Sequence, residues 1–328
     1  MARFIIRRLA AVPLVLLVLT AIMFLLNRIS PTDQAKEFLG PHAGKTAIAA
    51  MNSKLYLNRP LPVQFVHYVV QVSQGNLSTS LRTHRAVLSD ISAYLPATIE
   101  LAAFGLVFAL ILATVLALLT TLAWRGANIV RWLLISGASA PTFLLALGGI
   151  LIFYSKLHWL PASGETSYFN PPGGFLLISS LMKGNPAMFF DALRHIILPA
   201  LCVAIGPAVS IGRILSASLS TAINSDYART ARSRGMREVV ILLRHGFRNS
   251  LNAALAMTGL QVGMMLAGVV VIEDVFAWPG IGYYMAQSIP VGDFPGVAGV
   301  TLVIGALYVL VNAVVDILQA VADPRIRR

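Results

Sequence analysis

The sequence predicts an all-α membrane protein of about six transmembrane helices with both termini cytoplasmic, and three observations carry that prediction. Only 12% of the 328 residues are charged and 57% are hydrophobic. Soluble domains carry about 25% charged residues. A chain so depleted cannot coat a water-facing surface, so its natural solvent is lipid. Apolar runs recur that approach the roughly 20 residues a helix needs to cross a bilayer core. Between the runs, the arginines gather in clusters that fall on one side.

The first run, residues 9–26, follows Arg3, Arg7 and Arg8. That pattern is shared with signal peptides, but the run continues into Asn27, Arg28, Ile29, Ser30 and Pro31 without a small-residue cleavage site. Residues 1–29 are therefore read as an uncleaved first span. Residues 30–96 follow as a loop or subdomain on the far, periplasmic side. Within it Phe65, Tyr68, Val69 and Val72 recur at helical spacing, which predicts a short amphipathic helix near the outer membrane surface. Residues 97–328 hold the other five spans. The run 97–123 carries a single charge, Glu100. The runs 132–154, 196–212, 251–272 and 294–315 are uncharged; the second of these is the shortest and borrows length from Leu193 and from residues 214–219.

Orientation follows from Lys and Arg near the helix ends. Arg3, Arg7 and Arg8, then Arg125 and Arg131, then Arg229, Arg232, Arg234, Arg237, Arg244 and Arg248, and finally Arg325, Arg327 and Arg328 all fall on one side, the cytoplasm. The segments 30–96, 157–191 and 277–293 fall outside. The first of them also carries Lys and Arg, but long loops obey the charge rule weakly. The net charge of +12 would suggest nucleic acid on a soluble chain. Here it sets orientation, so no nucleic-acid partner is expected. Cys202 is the single cysteine. It sits in an apolar run, which excludes a disulfide within the chain and a thiolate metal cluster and suggests a small buried residue.

The polar segment 224–250 is the most informative. Asn224, Ser225 and Asp226 offer helix N-caps. Tyr227, Ala228 and Ala231 form a small apolar face, and Gly235 breaks the helix. A second helical run places Val239, Leu242, Leu243, Gly246 and Phe247 on one side, with Arg244 and Arg248 off it. Two short amphipathic helices joined by a glycine elbow make a knob outside the membrane. Such a knob fits a groove on a soluble partner and transmits a push, or it anchors to acidic lipid headgroups; both readings stand on the residues alone.

Polar residues inside a membrane are costly and tend to be functional. Glu100, Glu273 and Asp274 fall near outer span ends, while Asn312 and Asp316 fall one helical turn apart near a cytoplasmic end. The three outer acids line or gate a vestibule, or they pair with arginine and backbone groups and hold loops in place. Asp316 reads as a structural partner of nearby Arg325 and Arg327. The stretch Trp278-Pro279-Gly280-Ile281-Gly282 predicts a tight, aromatic-tipped loop at the outer interface, either a gate element or an interface anchor.

Several of these segments carry a family resemblance. The stretch from Asp226 through Arg229, Thr230, Ala231 and Gly235 to Leu243-Arg244-His245-Gly246-Phe247-Arg248-Asn249 resembles the EAA loop of ABC importer permeases, in its dipeptide, oligopeptide and nickel version. Arg229 replaces the glutamate, a departure shared with that branch. His245, Phe247 and Arg248 stand where the general pattern ends in I-x-L-P. Asn58-Arg59-Pro60-Leu61-Pro62-Val63-Gln64-Phe65 resembles the family's R-P-L-x-x-Q-Y, and Leu95-Pro96-Ala97-Thr98-Ile99-Glu100-Leu101 resembles its P-x-T-x-E-L. Glu273-Asp274-Val275-Phe276-Ala277-Trp278-Pro279-Gly280-Ile281-Gly282 resembles its E-x-V-F-x-W-P-G-x-G. Asn312, Asp316 and the ending Asp323-Pro324-Arg325-Ile326-Arg327 resemble its carboxy terminus. Gly75-Asn76-Leu77-Ser78-Thr79-Ser80 departs from the more frequent G-D-L-G-x-S.

The resemblance implies the type I ABC importer permease fold in a bacterial inner membrane and a transport role without catalytic residues. It implies that Tyr227, Arg229, Thr230, Ala231, Gly235, Arg244 and Arg248 couple to an ATPase. It offers Glu100, Glu273, Asp274, Phe276, Trp278, Pro279 and Gly280 as path or gate residues. A second, homologous permease, two ATPase subunits or domains and a periplasmic or lipid-anchored binding protein would complete the machine. ATP and Mg would sit on the partners and none on this chain. The cargo would be di- or oligopeptides, or alternatively nickel chelates or glutathione. An ATP-independent secondary transporter would not need the arginine-rich elbow. An intramembrane protease would need paired Ser/His or His/Asp groups, and the uncharged runs hold no histidine.

Three other signals are weak. Gly40-Pro41-His42-Ala43-Gly44-Lys45-Thr46 has three residues between its glycines, whereas a phosphate loop needs four. Asn76-Leu77-Ser78 fits the glycosylation triplet only formally. His42, His67, His84, His158, His195 and His245 show no metal-ligand spacing.

Overall fold

The structure is a computed structural model that describes residues 2–29, 44–54, 56, 58–122, 126–168 and 173–322. Arg125, most of the 40–46 segment and the ending 323–328 lie outside the described residues, as do the side chains of Arg3, Arg7, Arg8, His245 and Asp316. The described residues are almost entirely helical, with a lone bridge between Thr79 and Ala86. Four helices are long and apolar enough to cross a membrane: Val87–Thr121, Pro186–Ile223, Ser250–Val275 and Phe294–Val315. A bent pair raises the count to five. The apolar part of the first helix, Val12–Arg28, is shorter.

In chain order, α1 (Ala2–Ile29) opens the fold and α2 (Lys45–Lys54) and α3 (Leu61–Ser73) follow. Helix α3 is the predicted amphipathic helix. Its aromatic face packs on α1, with Phe24 lying 5.4 Å from Phe65 and 5.9 Å from Tyr68 between ring centroids. Helix α4 (Val87–Thr121) starts well before the apolar run at 97 and continues through Pro96. The predicted third span is not one rod. It is α5 (Ala127–Ser139) and α6 (Thr142–Gly149), with a π-helical extension Ile150–Lys156. The two halves meet at 115°. The cause is Pro141: it has no N–H to donate, and it forces Ala140 into an extended conformation (φ −83, ψ 145).

Helix α7 (Leu176–Met182) is short, and α8 (Pro186–Ile223) runs for 38 residues. Asn185 caps α8 by accepting the Met188 N–H at 3.1 Å, and Pro186 fits the first turn. Helices α9 (Asp226–Ser233) and α10 (Glu238–Ile241) follow, then a π-helical turn, Leu242–Gly246, that leads directly into α11 (Phe247–Val275). Helices α12 (Ile281–Ser288) and α13 (Phe294–Ala322) finish the chain.

Helix α8 is the spine: its most extensive partners are α4 and α11. Small residues allow the approach. Ala109, Ala204 and Ala208 form one buried cluster, and Gly212 lies against Ala113. A Cβ on Gly212 would come within 2.9 Å of Leu116 and 3.3 Å of the Ala113 backbone. Close backbone approach through small residues is how helices gain contact where lipid supplies no hydrophobic drive. Cys202 is buried in the main core with Leu101, Val203, Met265 and Val269.

These contacts predict opposite outcomes for two glycines of one helix. Gly212→Leu is expected to destabilise the purified chain by about 1–3 kcal/mol through overpacking. Gly206 has nothing within 4 Å of its would-be Cβ, so Gly206→Ala is expected to stabilise by about 0.5–1 kcal/mol. Thermal unfolding midpoints in detergent check both signs.

Candidate functional site

Two of the sequence motifs meet where α11 ends. Glu273 is fully buried, and one of its carboxylate oxygens accepts the Gly282 N–H at 2.7 Å and the Tyr283 N–H at 3.2 Å. The Thr98 hydroxyl lies against the same carboxylate and accepts the Ile281 N–H at 2.8 Å. Trp278 donates its indole N–H to the Ala97 carbonyl at 3.0 Å. Residues 97 and 98 of α4 thus hold the turn between α11 and α12 at several points. Gly280 and Gly282 are required by contact: a Cβ on either would overlap the Glu273 carboxylate, and on Gly282 also the Val270 backbone.

Trp278 is only 1% exposed, inside the main core with Phe276, Leu101 and Ile272. This corrects the expectation of an aromatic-tipped loop at the outer interface. The indole needs a hydrogen-bond acceptor when buried, and the Ala97 carbonyl supplies it. Pro279 is half-buried in the same turn. Asp274 is exposed beside buried Glu273, and among the described residues its carboxylate has no partner.

Glu100 completes this end. It is buried, and its two oxygens accept the Leu176 N–H at 3.1 Å and the Leu177 N–H at 3.0 Å, which cap α7. The neighbouring loop is tied by the Gly164 N–H to the Phe276 carbonyl at 2.8 Å. Asp191 on α8 accepts the Thr166 hydroxyl at 2.6 Å and the Ser167 N–H at 2.7 Å. Glu165 in this loop is buried, and burial, with the Glu100 carboxylate nearby, pushes its carboxyl up to about 7.

A third carboxylate joins the 75–86 turn to the start of α13. Buried Asp293 accepts the Ser80 hydroxyl, the Leu81 N–H at 3.0 Å and the Gly296 N–H at 3.1 Å. In that turn Ser78 has φ +70, a left-handed conformation that favours glycine. Ser78 and Asn76 are the two positions at which the sequence departs from G-D-L-G-x-S. Asn76 holds the strained residue by accepting its N–H at 3.0 Å.

The opposite end of α8 carries the elbow. Helix α9 ends at Gly235, whose φ of +78 turns the chain. Ala228, Ala231 and Ile241 pack together against Met236 beneath the turn. Arg232 clamps the elbow: it pairs with both oxygens of Glu238 and donates to the Ile223 carbonyl, the last of α8, at 2.9 Å. That hydrogen bond holds the Glu238 carboxyl below the usual carboxylate range. Ser225 sits at the N-cap position, yet its hydroxyl donates backward to Ala222 at 2.5 Å. The second run differs from its predicted face. The π turn rotates it so that Ile241, Leu242 and Gly246 are buried while Val239, Val240 and Leu243 are exposed.

The structure therefore brings Glu100, Glu273, Phe276, Trp278, Pro279 and Gly280 together at one end. At the other it exposes Tyr227, Arg229, Thr230, Arg244 and Arg248 around the elbow of Gly235, while Ala231 is buried in it. Thr98, Asp293, Arg232 and Glu238 were not singled out. Thr98 and Asp293 act through pairings across the chain, whereas Arg232 and Glu238 pair locally, and their spacing across a glycine turn was the one hint of a clamp. Among the described residues no group of His, Cys, Asp and Glu is arranged to hold a metal ion.

The comparisons agree along the chain. A model of the family described as "Binding-protein-dependent transport system inner membrane component" matches residues 105–328. The model of that family's N-terminal part matches residues 1–102. The chain is 39% identical over 314 residues to the "Probable D,D-dipeptide transport system permease protein DdpB" of Escherichia coli, covering 94% of this chain and 92% of that protein. It is 33% identical over 328 residues to the "Dipeptide transport system permease protein DppB" of Alkalihalophilus pseudofirmus, covering 98% of each. It is 31% identical over 334 residues to the "Glutathione transport system permease protein GsiC" of Salmonella typhimurium, covering 100% of this chain and 99% of that one.

The site makes two predictions. Glu273→Ala leaves the Gly282 and Tyr283 N–H groups without their acceptor and is expected to destabilise by about 1–3 kcal/mol, with new proteolysis at 276–293. Glu165 is protonated in the fold at a pH where an unfolded glutamate is ionised. Its contribution is therefore present at low pH and lost as pH rises through about 7. Proteolysis of the 157–168 loop is expected to increase from about pH 6 to about pH 8, and Glu165→Gln to remove that increase.

Proposed function

We propose, from the premise that this chain belongs to the family of binding-protein-dependent transport system inner membrane components, that it forms half of an ATP-driven path for di- or oligopeptides. The membrane placement and the permease role come with the family; the cargo, the partners and the residue roles are the proposal. The cargo reading rests on similarity along the full length to permeases named for dipeptides. Glutathione is the second reading, favoured by comparable coverage of a glutathione permease.

The proposed arrangement has six spans with both termini cytoplasmic. It consists of the helix 1–29, a periplasmic segment 30–96 and a core 97–328. Helix α1 is the first span and the bent α5–α6 pair the third. This chain pairs with a second homologous permease. A binding protein, periplasmic or lipid-anchored, delivers cargo from outside, and two ATPase subunits or domains, which hold ATP and Mg, work from inside. The chain itself performs no catalysis and binds no cofactor.

The single observation that supports coupling is the clamped elbow. Arg232 joins α8, α9 and α10 at one point, so a push on the knob reaches α8 without being absorbed by a loose joint. Tyr227, Arg229, Thr230, Arg244 and Arg248 present its polar surface, and Val239, Val240 and Leu243 present exposed apolar area. An ATPase groove that covers the apolar part and offers acids to the arginines is the expected partner surface. At the outer end, Glu100, Glu273, Phe276, Trp278, Pro279 and Gly280 hold the gate's frame, and Asp274 faces what passes.

Mass spectrometry of what copurifies with this chain in mild detergent tests the reading. A second permease, ATPase subunits and a binding protein loaded with peptide are expected. Recovery of the chain alone, with uptake that ignores ATP, would indicate a secondary transporter. Gly235→Val is expected to cost about 1–2 kcal/mol locally because a branched residue resists positive φ, and to lower peptide uptake per ATP hydrolysed. Arg232→Ala is expected to do the same by freeing the elbow, and a coupled uptake and hydrolysis assay in vesicles measures both.

A further inference from the structure

A charged cleft remains outside both ends described above. It measures about 260 Å³ and is lined by Leu116 and Thr120 of α4, Arg131 and Ile135 of α5, and Arg213 and Ser216 of α8. Two guanidinium groups face it, and among the described residues no acid lines it. Among the described residues neither arginine has an ion pair or a hydrogen bond. Thr120 and Ser216 share a hydrogen bond of 2.8 Å at its wall, so two hydroxyls add polar atoms to the two cations. Arg213 lies inside a helix that qualifies as a membrane span, where an unpaired charge is costly and calls for a partner.

The cleft's depth selects the partner. Helix α8 has 38 residues and so is roughly 57 Å long, against roughly 30 Å of hydrocarbon. A centred helix overhangs by roughly 13 Å at each end. Arg213 lies roughly 15 Å from the Ile223 end, which is the boundary between acyl chains and headgroups. The residues flanking Arg131 agree. Ile129 is 66% and Trp132 69% exposed, an apolar and an aromatic side chain of the kind found where a helix meets the membrane interface. Since α5 is bent 115° away from α6, it departs from the course of its span at this level.

We infer that this cleft binds the phosphate of an anionic phospholipid headgroup from the cytoplasmic leaflet, with Arg131 and Arg213 as its cationic ligands and the Thr120–Ser216 hydroxyl pair as its polar wall. Basic pockets between membrane helices take such headgroups. The phosphate pairs with both guanidinium groups, offsets part of their charge, and bridges α5 to α8, the helix that carries the elbow. The leaflet rests on the orientation proposed above; the site itself rests on the cleft.

The test is native mass spectrometry of the assembled importer, released from membranes containing phosphatidylglycerol, cardiolipin and phosphatidylcholine. The assembled complex is expected to keep anionic lipid. R131Q/R213Q is expected to lose it about tenfold to thirtyfold, with phosphatidylcholine unchanged and with R131K/R213K retaining most of it. If the double glutamine variant fails to assemble, each single variant is expected to lose about threefold to fivefold. Equal retention by wild type and R131Q/R213Q would overturn the site as ordinary annular lipid. Displacement of the lipid by millimolar inorganic phosphate alone would reassign it to a free anion. A raised KM for peptide uptake in R131Q/R213Q with lipid retention unchanged would overturn the proposal in favour of a cargo contact. Maleimide labelling of Asn128→Cys from outside, with lipid retention intact, would overturn the orientation and leave the site standing.

Discussion

A buried carboxylate that accepts backbone N–H groups is the constraint on which one end of this fold depends. Glu273 receives two amide N–H groups from the start of α12 on one of its oxygens, and a polar group in so dry a place is costly without such donors. That requirement fixes its surroundings. Gly280 and Gly282 must lack side chains, Thr98 must offer its hydroxyl, and Trp278 must turn inward to the Ala97 carbonyl. Glu100 and Asp293 repeat the device for α7 and for the start of α13. Each is an acid serving as an anchor for the N–H groups of a helix start, where the helix has donors without internal partners.

The other end solves a different problem. An elbow outside the bundle has little apolar area of its own to bury, and α9 with α10 covers only Ala228, Ala231 and Ile241. Its rigidity comes instead from Arg232, one guanidinium that reaches a carboxylate and a terminal carbonyl together. The planar fork of arginine permits this, and a lysine could not reproduce both contacts. Between the two ends α8 runs unbroken in spite of Pro199 and Pro207. Pro141, placed after an extended residue in the middle of the third apolar run, breaks its helix instead.

Much of this was legible in the sequence. Runs of apolar residues locate the helices because lipid exposure demands them, Cys202 lies buried among apolar neighbours, and Gly235 turns the chain where the pattern changes. The two readings left open for Glu100 and Glu273 are narrowed by their backbone donors, which make each an anchor of the frame. What stayed hidden depends on pairings across the chain. Nothing local tells that Glu273 and Thr98 touch, that Trp278 points into the core, or that Ser80 reaches Asp293. Arg213 was hidden for another reason: apolar residues resume directly after it, so in the sequence it is a brief interruption of one span and nothing local tells what it faces. The kink at Pro141 was present in the letters but masked by the continuous hydrophobicity on both sides.

Glu273 and Asp274 are neighbours with opposite fates, one sealed in the frame and one open to its surroundings. The first cannot change without its glycines, its threonine and its tryptophan changing together. The second can be replaced alone. With Asp274 facing the path as proposed, a scaffold divided in this way drifts toward new cargo by single steps on its open surface while the frame keeps its fold. Evolvability in such a transporter is then a property of which acids are left exposed.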